Sequence, residues 1–369
     1  MILNNYYNLN SSNTNERIKT LINNLDNGLN LSKDQFLDLL NNFNYELLPY
    51  IQDLAFKKRK AVYHDSVYIR GLIEISNYCK NNCYYCGIRK NNDDLERYRY
   101  NKNEIYQIVD YAYHNGYKTI VLQGGEDDYY SDDLLIEILT YLRSNYPDLA
   151  LTLSLGERSY ESYYKLYQAG ANRYLLRHES ASAEHYSKLH PQEMKLTTRI
   201  NCLNDLKTIG YQTGAGLMVG SPYQTNNDLV DDLLFLQSFQ PEMIGIGPYL
   251  NHPKTPFKSF NNGDINHVLV IYALARLICP EALIPSTTAT SSLASDGRYR
   301  ALQSGCNVIM INLSLLDKRK NYSLYANKTY VGDESQEYLS LIKADIEKAH
   351  LKINFAVGNH ITREVDNNE

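Results

Sequence analysis

The sequence has 369 residues, a length that suits one large α/β barrel or two smaller domains. Its formal net charge of −5 argues against a nucleic-acid-binding surface, so we expect no nucleic-acid partner. No apolar run approaches the roughly 18 residues that a membrane-spanning helix needs, so we expect no membrane insertion. The Asn-rich residues 1–13 lack the basic stretch and apolar core of a secretory signal, which predicts a disordered N-terminus and a cytoplasmic protein.

Residues 14–60 have helical periodicity and are predicted to form an N-terminal helical segment. Within it, Ser32 and Gln35 match a capping box, and apolar residues at helical spacing follow from Phe36. From residue 67 onward, short β-rich runs alternate with amphipathic helices. The eight runs are 67–76, 119–123, 150–154, 173–177, 212–218, 243–247, 284–287 and 308–312.

Several of these runs are almost continuously apolar, as in TIVLQ and NVIMIN, which is typical of strands buried on both faces. Eight strand–helix units in about 250 residues predict an α/β fold of the (β/α)8 TIM type, which we place at residues 61–325. Residues 326–369 then form a short C-terminal tail that packs on the barrel. A doubly wound sheet is the alternative, although it usually has fewer strands.

Three of the six cysteines lie in one loop directly after the first predicted strand. Cys79, Cys83 and Cys86 form a C-x3-C-x2-C array, and closely spaced thiolates are soft ligands for zinc or iron–sulfur clusters. A structural zinc site usually has four protein ligands, whereas this loop offers three. Three thiolates fit three corners of a cubane cluster and leave the fourth iron open for a cofactor. A disulfide or a zinc knuckle is the alternative, and ligand count and the flanking strand disfavour it. The lack of a secretory signal further disfavours a disulfide.

Polar residues follow other predicted strands, at the end of a barrel that usually carries the functional residues. Among them, Arg177, His178 and Glu179 directly follow the fourth strand. Ordinary loop polarity explains one or two polar positions but not such a cluster. Arg177 and Glu179 could equally pair with each other or with Arg199, and a lone histidine is more often structural. We favour an arrangement in which the Arg177 side chain faces the barrel interior and is not paired with Glu179, because Glu179 lies beyond the end of the strand.

The cysteine array, with an aromatic residue just before its last cysteine, resembles the signature of the radical S-adenosylmethionine (SAM) superfamily. Other segments, in their order along roughly residues 60–325, resemble the HydE family of [FeFe]-hydrogenase maturases. These segments are RGLIEISNYCKNNCYYCGIR, TIVLQGGED, LTLSLGE, RYLLRHES, GAGLMVG, DLVDDLLFL, MIGIGPYLNHPKTP and PSTTA. The resemblance implies a monomeric barrel enzyme that binds one [4Fe-4S] cluster and SAM.

The resemblance also assigns residues to these groups. It implies that the cluster is held by Cys79, Cys83 and Cys86. It implies that SAM contacts the aromatic ring of Tyr85, the QGGE residues Gln123, Gly124, Gly125 and Glu126, and the pair Glu179 and Arg199. It implies that the substrate lies in an inner cavity lined by Thr152, Arg177, Thr287, Thr288 and Tyr322.

An activity follows from the same resemblance. Family members act on a small organometallic iron–cysteine precursor on the route to the diiron subcluster of the hydrogenase. The reduced cluster cleaves SAM to a 5′-deoxyadenosyl radical, so the cofactor supplies the difficult chemistry. The implied partners are the other hydrogenase maturases and an electron donor, in transient contact in an anaerobic organism.

Two departures from the family pattern matter. Asp127 stands where the superfamily often has Pro after GGE, and we expect the backbone contacts to change little. Some relatives carry a second cluster on three C-terminal cysteines, whereas the corresponding stretch here, YVGDESQEYLSL, has none. We therefore expect a single cluster.

Two kinds of alternative function stay open. The first is another radical SAM barrel enzyme, such as biotin synthase or methylornithine synthase. Biotin synthase carries a second cluster on barrel-strand cysteines, and TIVLQ, LTLSL and TGAGLMV contain none, whereas methylornithine synthase is harder to exclude. The second is a non-catalytic iron–sulfur carrier or scaffold, which would keep the cysteines without QGGE, Glu179 and Arg199.

Overall fold

A computed structural model describes residues 2–326, 328 and 336–363, without the side chains of residues 2–12 and 336–338. Its helices are α1 (Ile2–Asp26), α2 (Lys33–Asn42), α3 (Leu48–Tyr63), α4 (Lys102–His114), α5 (Asp132–Asn145), α6 (Tyr160–Gln168), α7 (Ala183–Leu189), α8 (Leu196–Ile209), α9 (Asn226–Phe239), α10 (Ile265–Ile278), α11 (Thr288–Leu293), α12 (Gly297–Gln303), α13 (Leu316–Arg319) and α14 (Gln336–Lys348). Its strands are β1 (Ser66–Ser76), β2 (Thr119–Gly124), β3 (Ala150–Ser154), β4 (Arg173–Leu175), β5 (Gln212–Ala215), β6 (Met218–Val219), β7 (Met243–Ile244), β8 (Gly247–Pro248), β9 (Pro285–Ser286), β10 (Val308–Asn312) and β11 (Lys352–Asn354). None of the helices in these ranges is long and apolar enough to cross a membrane.

The central sheet is a nearly closed barrel of eight parallel strands, which confirms the predicted fold class. The strands follow the order β7-β5-β4-β3-β2-β1-β10-β9. The two ends of this order meet where Leu283, just before β9, bridges Met243 of β7. Because every neighbouring pair is parallel, the carboxyl ends of all eight strands lie at one end of the barrel.

Some strands end earlier than the sequence predicts. β4 stops at Leu175, and the predicted run 212–218 divides into β5 and β6. β6 pairs with β8 in a separate two-stranded sheet. At the division, a Cβ on Gly216 would lie 2.1 Å from the carbonyl oxygen of Gly245, so the two backbones approach closely and only glycine fits. The residues after this point form part of the rim at the carboxyl end of the barrel.

The N-terminal helices pack on the outer helices of the barrel, α2 against α9 and α3 against α10. The predicted capping box is present, since Gln35 N–H donates to Ser32 Oγ (3.3 Å) and Ser32 N–H donates to Gln35 Oε1 (2.8 Å). Helix α1 begins at Ile2, so it also runs through most of the range predicted to be disordered. Its later turns are buried at Ile18 and Ile22, and this packing supports a helix whose Asn-rich start has low helix propensity.

The described part of the C-terminal segment closes the amino end of the barrel. β11 pairs with the start of β1. From β4, Nη2 of Arg173 donates to the carbonyl oxygens of Val357 (3.0 Å) and Gly358 (3.1 Å) and to Oδ1 of Asn359 (2.7 Å). The barrel interior therefore opens toward the carboxyl ends of the strands.

Candidate active site

The cysteine loop leaves β1 and lies across the loop that follows β2. Lys80 N–H donates to the carbonyl oxygen of Glu126 (2.8 Å), and Gly125 N–H donates to that of Ser76 (3.1 Å). A Cβ on Gly125 would lie 2.1 Å from the carbonyl oxygen of Tyr78, so this approach requires glycine. The GGE segment thus holds the start of the cysteine loop in place.

The three thiols of the loop line one cavity and influence one another. Burial raises the pKa of all three: that of Cys79 above its ordinary value, that of Cys86 to about 12, and that of Cys83 far above its ordinary value. At Cys83, charge on the other two sulfurs adds to the effect of burial. Three thiolates at this position therefore need a positive centre beside them.

The donor set distinguishes the two metal hypotheses. A structural zinc ion usually has four protein ligands, whereas the cysteines of a cubane cluster bind three different irons and leave the fourth open. Within the described ranges, no three Cys, His, Asp or Glu side chains are grouped as ligands of one metal ion. Three soft donors beside a glycine-rich backbone fit a [4Fe-4S] cluster.

A cavity of about 270 Å³ opens beside the cysteine loop, and we name it the barrel-mouth cavity. It brings together residues from the carboxyl ends of several strands and from the loops that follow them. Most of the predicted site residues line it: Cys79, Cys83, Tyr85, Cys86, Gln123, Gly124, Gly125, Glu126, Arg177, Glu179, Arg199 and Tyr322. The predicted threonines are not among the lining residues.

Two of these threonines nevertheless lie close to the cavity. Thr152 is buried on β3, two residues before the lining residue Ser154, and its Oγ1 has no hydrogen-bond partner among the described residues. A Cβ on Gly247 would lie 3.3 Å from Thr287 Oγ1 and 3.9 Å from Nη1 of Arg177, so these two groups flank Gly247. Thr288, the third of them, is the first residue of α11.

Arg199, on α8, faces two carboxylates at the cavity. Its Nε donates to Oε1 of Glu157 (2.6 Å), and its Nη1 donates to the carbonyl oxygen of Arg177 (2.8 Å). Its Nη2 lies 3.7 Å from Oε1 of Glu126, too far for a hydrogen bond. Burial alone would lower the pKa of Arg199, but Tyr186 and the carboxylates raise it above its ordinary value. The guanidinium is therefore charged and keeps Nη2 available for an anion.

Arg177 and Glu179 contact each other, so the expectation that Glu179 lies out of reach is wrong. Nη2 of Arg177 lies 2.9 Å from Oε2 of Glu179 and donates to the carbonyl oxygen of Leu217 (2.9 Å). Glu179 adopts a left-handed backbone conformation (φ 64°), which keeps its side chain beside the cavity and costs about 1–3 kcal/mol. Its Oε2 is buried in this contact and makes no aligned hydrogen bond with a described residue.

Sequence reasoning missed two charged residues beside Tyr322, namely Glu74 and Lys328. The hydroxyl of Tyr322 itself accepts from Nε2 of Gln123 (3.3 Å). Glu74 is buried on β1, where it accepts from Nδ2 of Asn312 (2.8 Å) and from Nζ of Lys328 (2.5 Å). The single charge inside the apolar run GLIEIS could have identified Glu74, because a charge in a buried strand requires a partner. No local pattern marks Lys328.

The ring of Tyr85 is held at the cavity wall by a histidine. The carbonyl oxygen of Tyr186 can only accept, so the proton of His190 lies on Nδ1 (2.9 Å). His190 Nε2 therefore accepts from the hydroxyl of Tyr85 (3.2 Å). Burial lowers the pKa of His190 to about 3, so the imidazole stays neutral. This contact fixes the ring that is predicted to lie against the adenine of SAM.

Asp127 makes side-chain contacts that a proline at this position cannot make. Arg99 donates to both of its carboxylate oxygens, at 2.7 and 2.8 Å, and the Ser76 hydroxyl donates to Oδ2 (2.6 Å). The same hydroxyl accepts from Tyr78 N–H (3.1 Å). Asp127 thus ties the GGED loop to the first residues of the cysteine loop.

A larger cavity, of about 710 Å³, lies between α4, the loop after β10 and α14. Leu315, Leu316 and Phe355 contribute to its largely apolar lining, which contains no cysteine. Size alone would favour this cavity, but the thiols, the glycine-rich backbone and the charged side chains all lie in the barrel-mouth cavity. The chemistry of the site is therefore assigned there.

A parallel (β/α)8 barrel with a cysteine triad and a glycine-rich loop at its carboxyl end defines a class of protein. The model of the Radical SAM superfamily matches residues 73–236, from β1 to α9. The chain is a radical SAM enzyme, and this family implies a [4Fe-4S] cluster and SAM.

The [FeFe] hydrogenase maturase subunit HydE of Thermotoga maritima is 44% identical over 294 residues, which cover 80% of this chain and 84% of that protein. The chain belongs to the HydE family. The 3-methylornithine synthase of Methanosarcina acetivorans is a more distant relative, 29% identical over 76% of this chain and 79% of its own.

Solved structures show the same fold. The crystal structure of methylornithine synthase (PylB) matches with a TM-score of 0.77 at 23% identity, over 94% of this chain and 99% of its own. The maturase HydG matches with a TM-score of 0.75 at 18% identity, over 92% of this chain and 76% of its own. At these identities the likeness supports the architecture and not the substrate.

Proposed function

We propose that this chain cleaves SAM and directs the resulting radical at a small iron–cysteine organometallic precursor in [FeFe]-hydrogenase maturation. The observation that carries the proposal is the barrel-mouth cavity, where three soft thiols, a glycine-rich backbone and two arginines meet. The name of the HydE relative supports the maturation role. That maturation role implies that the chain works beside the other hydrogenase maturases. We further propose that the chain is a monomer and that it contacts an electron donor transiently.

The proposed cluster ligands are Cys79, Cys83 and Cys86, one for each of three irons. When bound, the reduced cluster supplies the electron that cleaves SAM into methionine and a 5′-deoxyadenosyl radical. We propose one cluster per chain, because YVGDESQEYLSL contains no cysteine. Residues 330–335 of that stretch lie outside the described residues, so this argument rests on the sequence.

The proposed SAM contacts surround the cluster. Arg199 has one guanidinium nitrogen without a hydrogen bond, which suits the SAM carboxylate. Glu179 lines the same cavity, and its carboxylate is proposed to accept from a ribose hydroxyl. Tyr85 provides a fixed ring for the adenine, and the backbone of the QGGE segment approaches without side-chain obstruction. The remaining proposed contacts are Gln123, Gly124, Gly125 and Glu126.

Two of the proposed substrate contacts, Arg177 and Tyr322, line the barrel-mouth cavity itself. Arg177 shares its Nη2 with Glu179 and Leu217, whereas its Nη1 lies on the side of Gly247 near Thr287. A ribose hydroxyl bound to Glu179 would weaken its hold on Arg177, which could then contact an anionic substrate. The hydroxyl groups of Thr152, Thr287, Thr288 and Tyr322 would complete the contacts to the ligands of the iron.

The test is hydrogenase maturation in a defined mixture from which HydE has been omitted. Addition of this protein, reconstituted with its cluster, should restore hydrogenase activation and release 5′-deoxyadenosine. An iron–sulfur carrier would activate hydrogenase without SAM cleavage. A 3-methylornithine synthase would form 3-methylornithine and leave the hydrogenase inactive. Either of those results overturns the proposal.

A further inference from the structure

His178, between Arg177 and Glu179, lies on the opposite side of the chain from the cavity. Its two neighbours line the cavity, whereas His178 is not among the lining residues. There it is fully buried and lies against α9, with Phe235 at a ring distance of 4.6 Å. Its Nε2 lies 3.2 Å from Oδ1 of Asp232, which is also fully buried. The active-site chemistry described above uses neither residue.

The hydrogen bonds determine which nitrogen of His178 carries the proton. Gly216 N–H donates to Nδ1 of His178 (3.3 Å), so Nδ1 carries no proton and the proton lies on Nε2. Nε2–H donates to Oδ1 of Asp232, which also accepts from Ala181 N–H (2.5 Å). The other oxygen, Oδ2, has no hydrogen-bond partner in the described chain, and burial raises the pKa of Asp232 above its ordinary value. Oδ1 of Asp232 is therefore the shared acceptor of the two hydrogen bonds.

These hydrogen bonds surround the strained backbone of Glu179. On one side, Glu179 N–H donates to the carbonyl oxygen of Gly216 (3.0 Å), and Met218 N–H donates to that of Glu179 (3.1 Å). On the other side, Asp232 holds the backbone of Ala181. The left-handed conformation of Glu179 persists only if its surroundings hold it, and both flanks are joined through His178 and Asp232.

We infer that His178 and Asp232 form a positioning pair that maintains the conformation of Glu179 and thereby sets the affinity for SAM. The inference rests on the proposed contact between Glu179 and SAM. Neither member of the pair touches the ligand, so both act through Glu179. The part of the pair that matters is the acceptor at Oδ1, because it receives both hydrogen bonds.

The test measures SAM affinity by anaerobic equilibrium dialysis of cluster-loaded protein kept oxidised, so that no SAM is consumed. Asp232→Leu removes the acceptor and should weaken SAM binding about 10-fold, the lower end of what loss of such a supporting contact costs. Asp232→Asn keeps an acceptor at Oδ1 and should stay within about 3-fold of the parent chain. His178→Phe keeps the packing against Phe235 but removes the acceptor for Gly216 N–H, so its loss of SAM affinity should equal that of Asp232→Leu. This second variant keeps the test valid if Asp232→Leu folds poorly.

A matched control and a double variant separate positioning from general stability. Asp345→Leu removes the ion pair with Arg298 (2.9 Å) between α14 and α12, so it should lower the melting temperature without changing SAM affinity. Glu179→Ala should weaken SAM binding by itself. In that background, Asp232→Leu should cause no further loss, because the pair acts through Glu179.

Each outcome has one meaning. If Glu179→Ala leaves SAM affinity unchanged, the proposed SAM contact fails, and the inference fails with it. If Glu179→Ala weakens binding but Asp232→Leu and His178→Phe do not, only the inference is overturned. An equal loss in Asp232→Asn and Asp232→Leu, or an additive loss in the double variant, also overturns it.

Discussion

The two ends of the barrel both contain arginines, and they differ in what those arginines contact. At the amino end, one nitrogen of Arg173 has three oxygen acceptors, all from residues 357–359 of the same chain. At the carboxyl end, Arg177 and Arg199 face carboxylates across a cavity, and Oε2 of Glu179 makes no aligned hydrogen bond with a described residue. The charged group at the amino end therefore holds the C-terminal segment against the barrel. The charged groups at the carboxyl end lie at a cavity where they can bind a ligand.

The largest expected effect is at the cluster. Cys83→Ala should abolish SAM cleavage and reduce bound iron to near zero, from about four per chain in the parent, because one four-iron cluster needs all three thiolates. Iron analysis and 5′-deoxyadenosine measurement check this. Cys279→Ala, a buried cysteine that donates to the carbonyl oxygen of Leu236 (3.6 Å), is the control and should keep both values. A firm value of eight irons in the parent chain contradicts the single cluster.

Arg177→Met should separate SAM cleavage from maturation. The variant keeps the bulk of the side chain and removes its charge, so it should still release 5′-deoxyadenosine but fail to activate hydrogenase. The reason is that Arg177 is proposed to contact the anionic substrate and not SAM. Normal hydrogenase activation by this variant would show that Arg177 only supports the scaffold.

Arg199→Lys should weaken SAM binding about 10-fold, because lysine cannot offer the forked contact of a guanidinium to a carboxylate. Arg173→Met is the matched change at the other end of the barrel. It should lower the free energy of unfolding by about 1–3 kcal/mol, since buried acceptors lose their donor, and leave SAM affinity unchanged. Equilibrium dialysis and denaturant unfolding measure the two quantities. If Arg173→Met lost SAM affinity and Arg199→Lys did not, the amino end and not the carboxyl end of the barrel would be the one that supports SAM binding.

The smallest expected effect is at Asp127. Burial alone would raise its pKa, but Arg99 and Ser76 hold the pKa below its ordinary value. A depressed pKa stabilises the fold above the unfolded-state value near 4, and this contribution is lost as pH falls through the folded-state value. Asp127→Asn should therefore cost about 1 kcal/mol at pH 7, a small figure because Arg99 is partly exposed.

Unfolding measured from pH 7 down to pH 2 checks this dependence. The difference between Asp127→Asn and the parent chain should begin to shrink near pH 4 and disappear at lower pH. A difference that stays constant over this range would mean that the charge of Asp127 contributes nothing to stability.

Much of the fold could be predicted because its signals are local. Buried parallel strands are continuously apolar, as in TIVLQ, and the cysteine spacing lies within one loop. The contact between Arg177 and Glu179 could not be predicted, because it depends on the backbone conformation of a single residue. The ion pair between Glu74 and Lys328 joins residues 254 positions apart, and no periodicity encodes such a distance.

The side-chain contacts of Asp127 were missed for a related reason. The sequence shows that an aspartate replaces a proline, but the acceptor role appears only when Arg99 and Ser76 are placed beside it. The site was therefore predictable in its residue types, while its internal pairing required the structure.

The most direct test of the central claim is the release of 5′-deoxyadenosine by the reduced, cluster-loaded protein, measured with and without the iron–cysteine precursor. The account predicts slow cleavage of SAM alone and faster, sustained cleavage when the precursor is present, because both are proposed to bind at the carboxyl end of the barrel. SAM binding without any cleavage, or a rate that the precursor leaves unchanged, would contradict it.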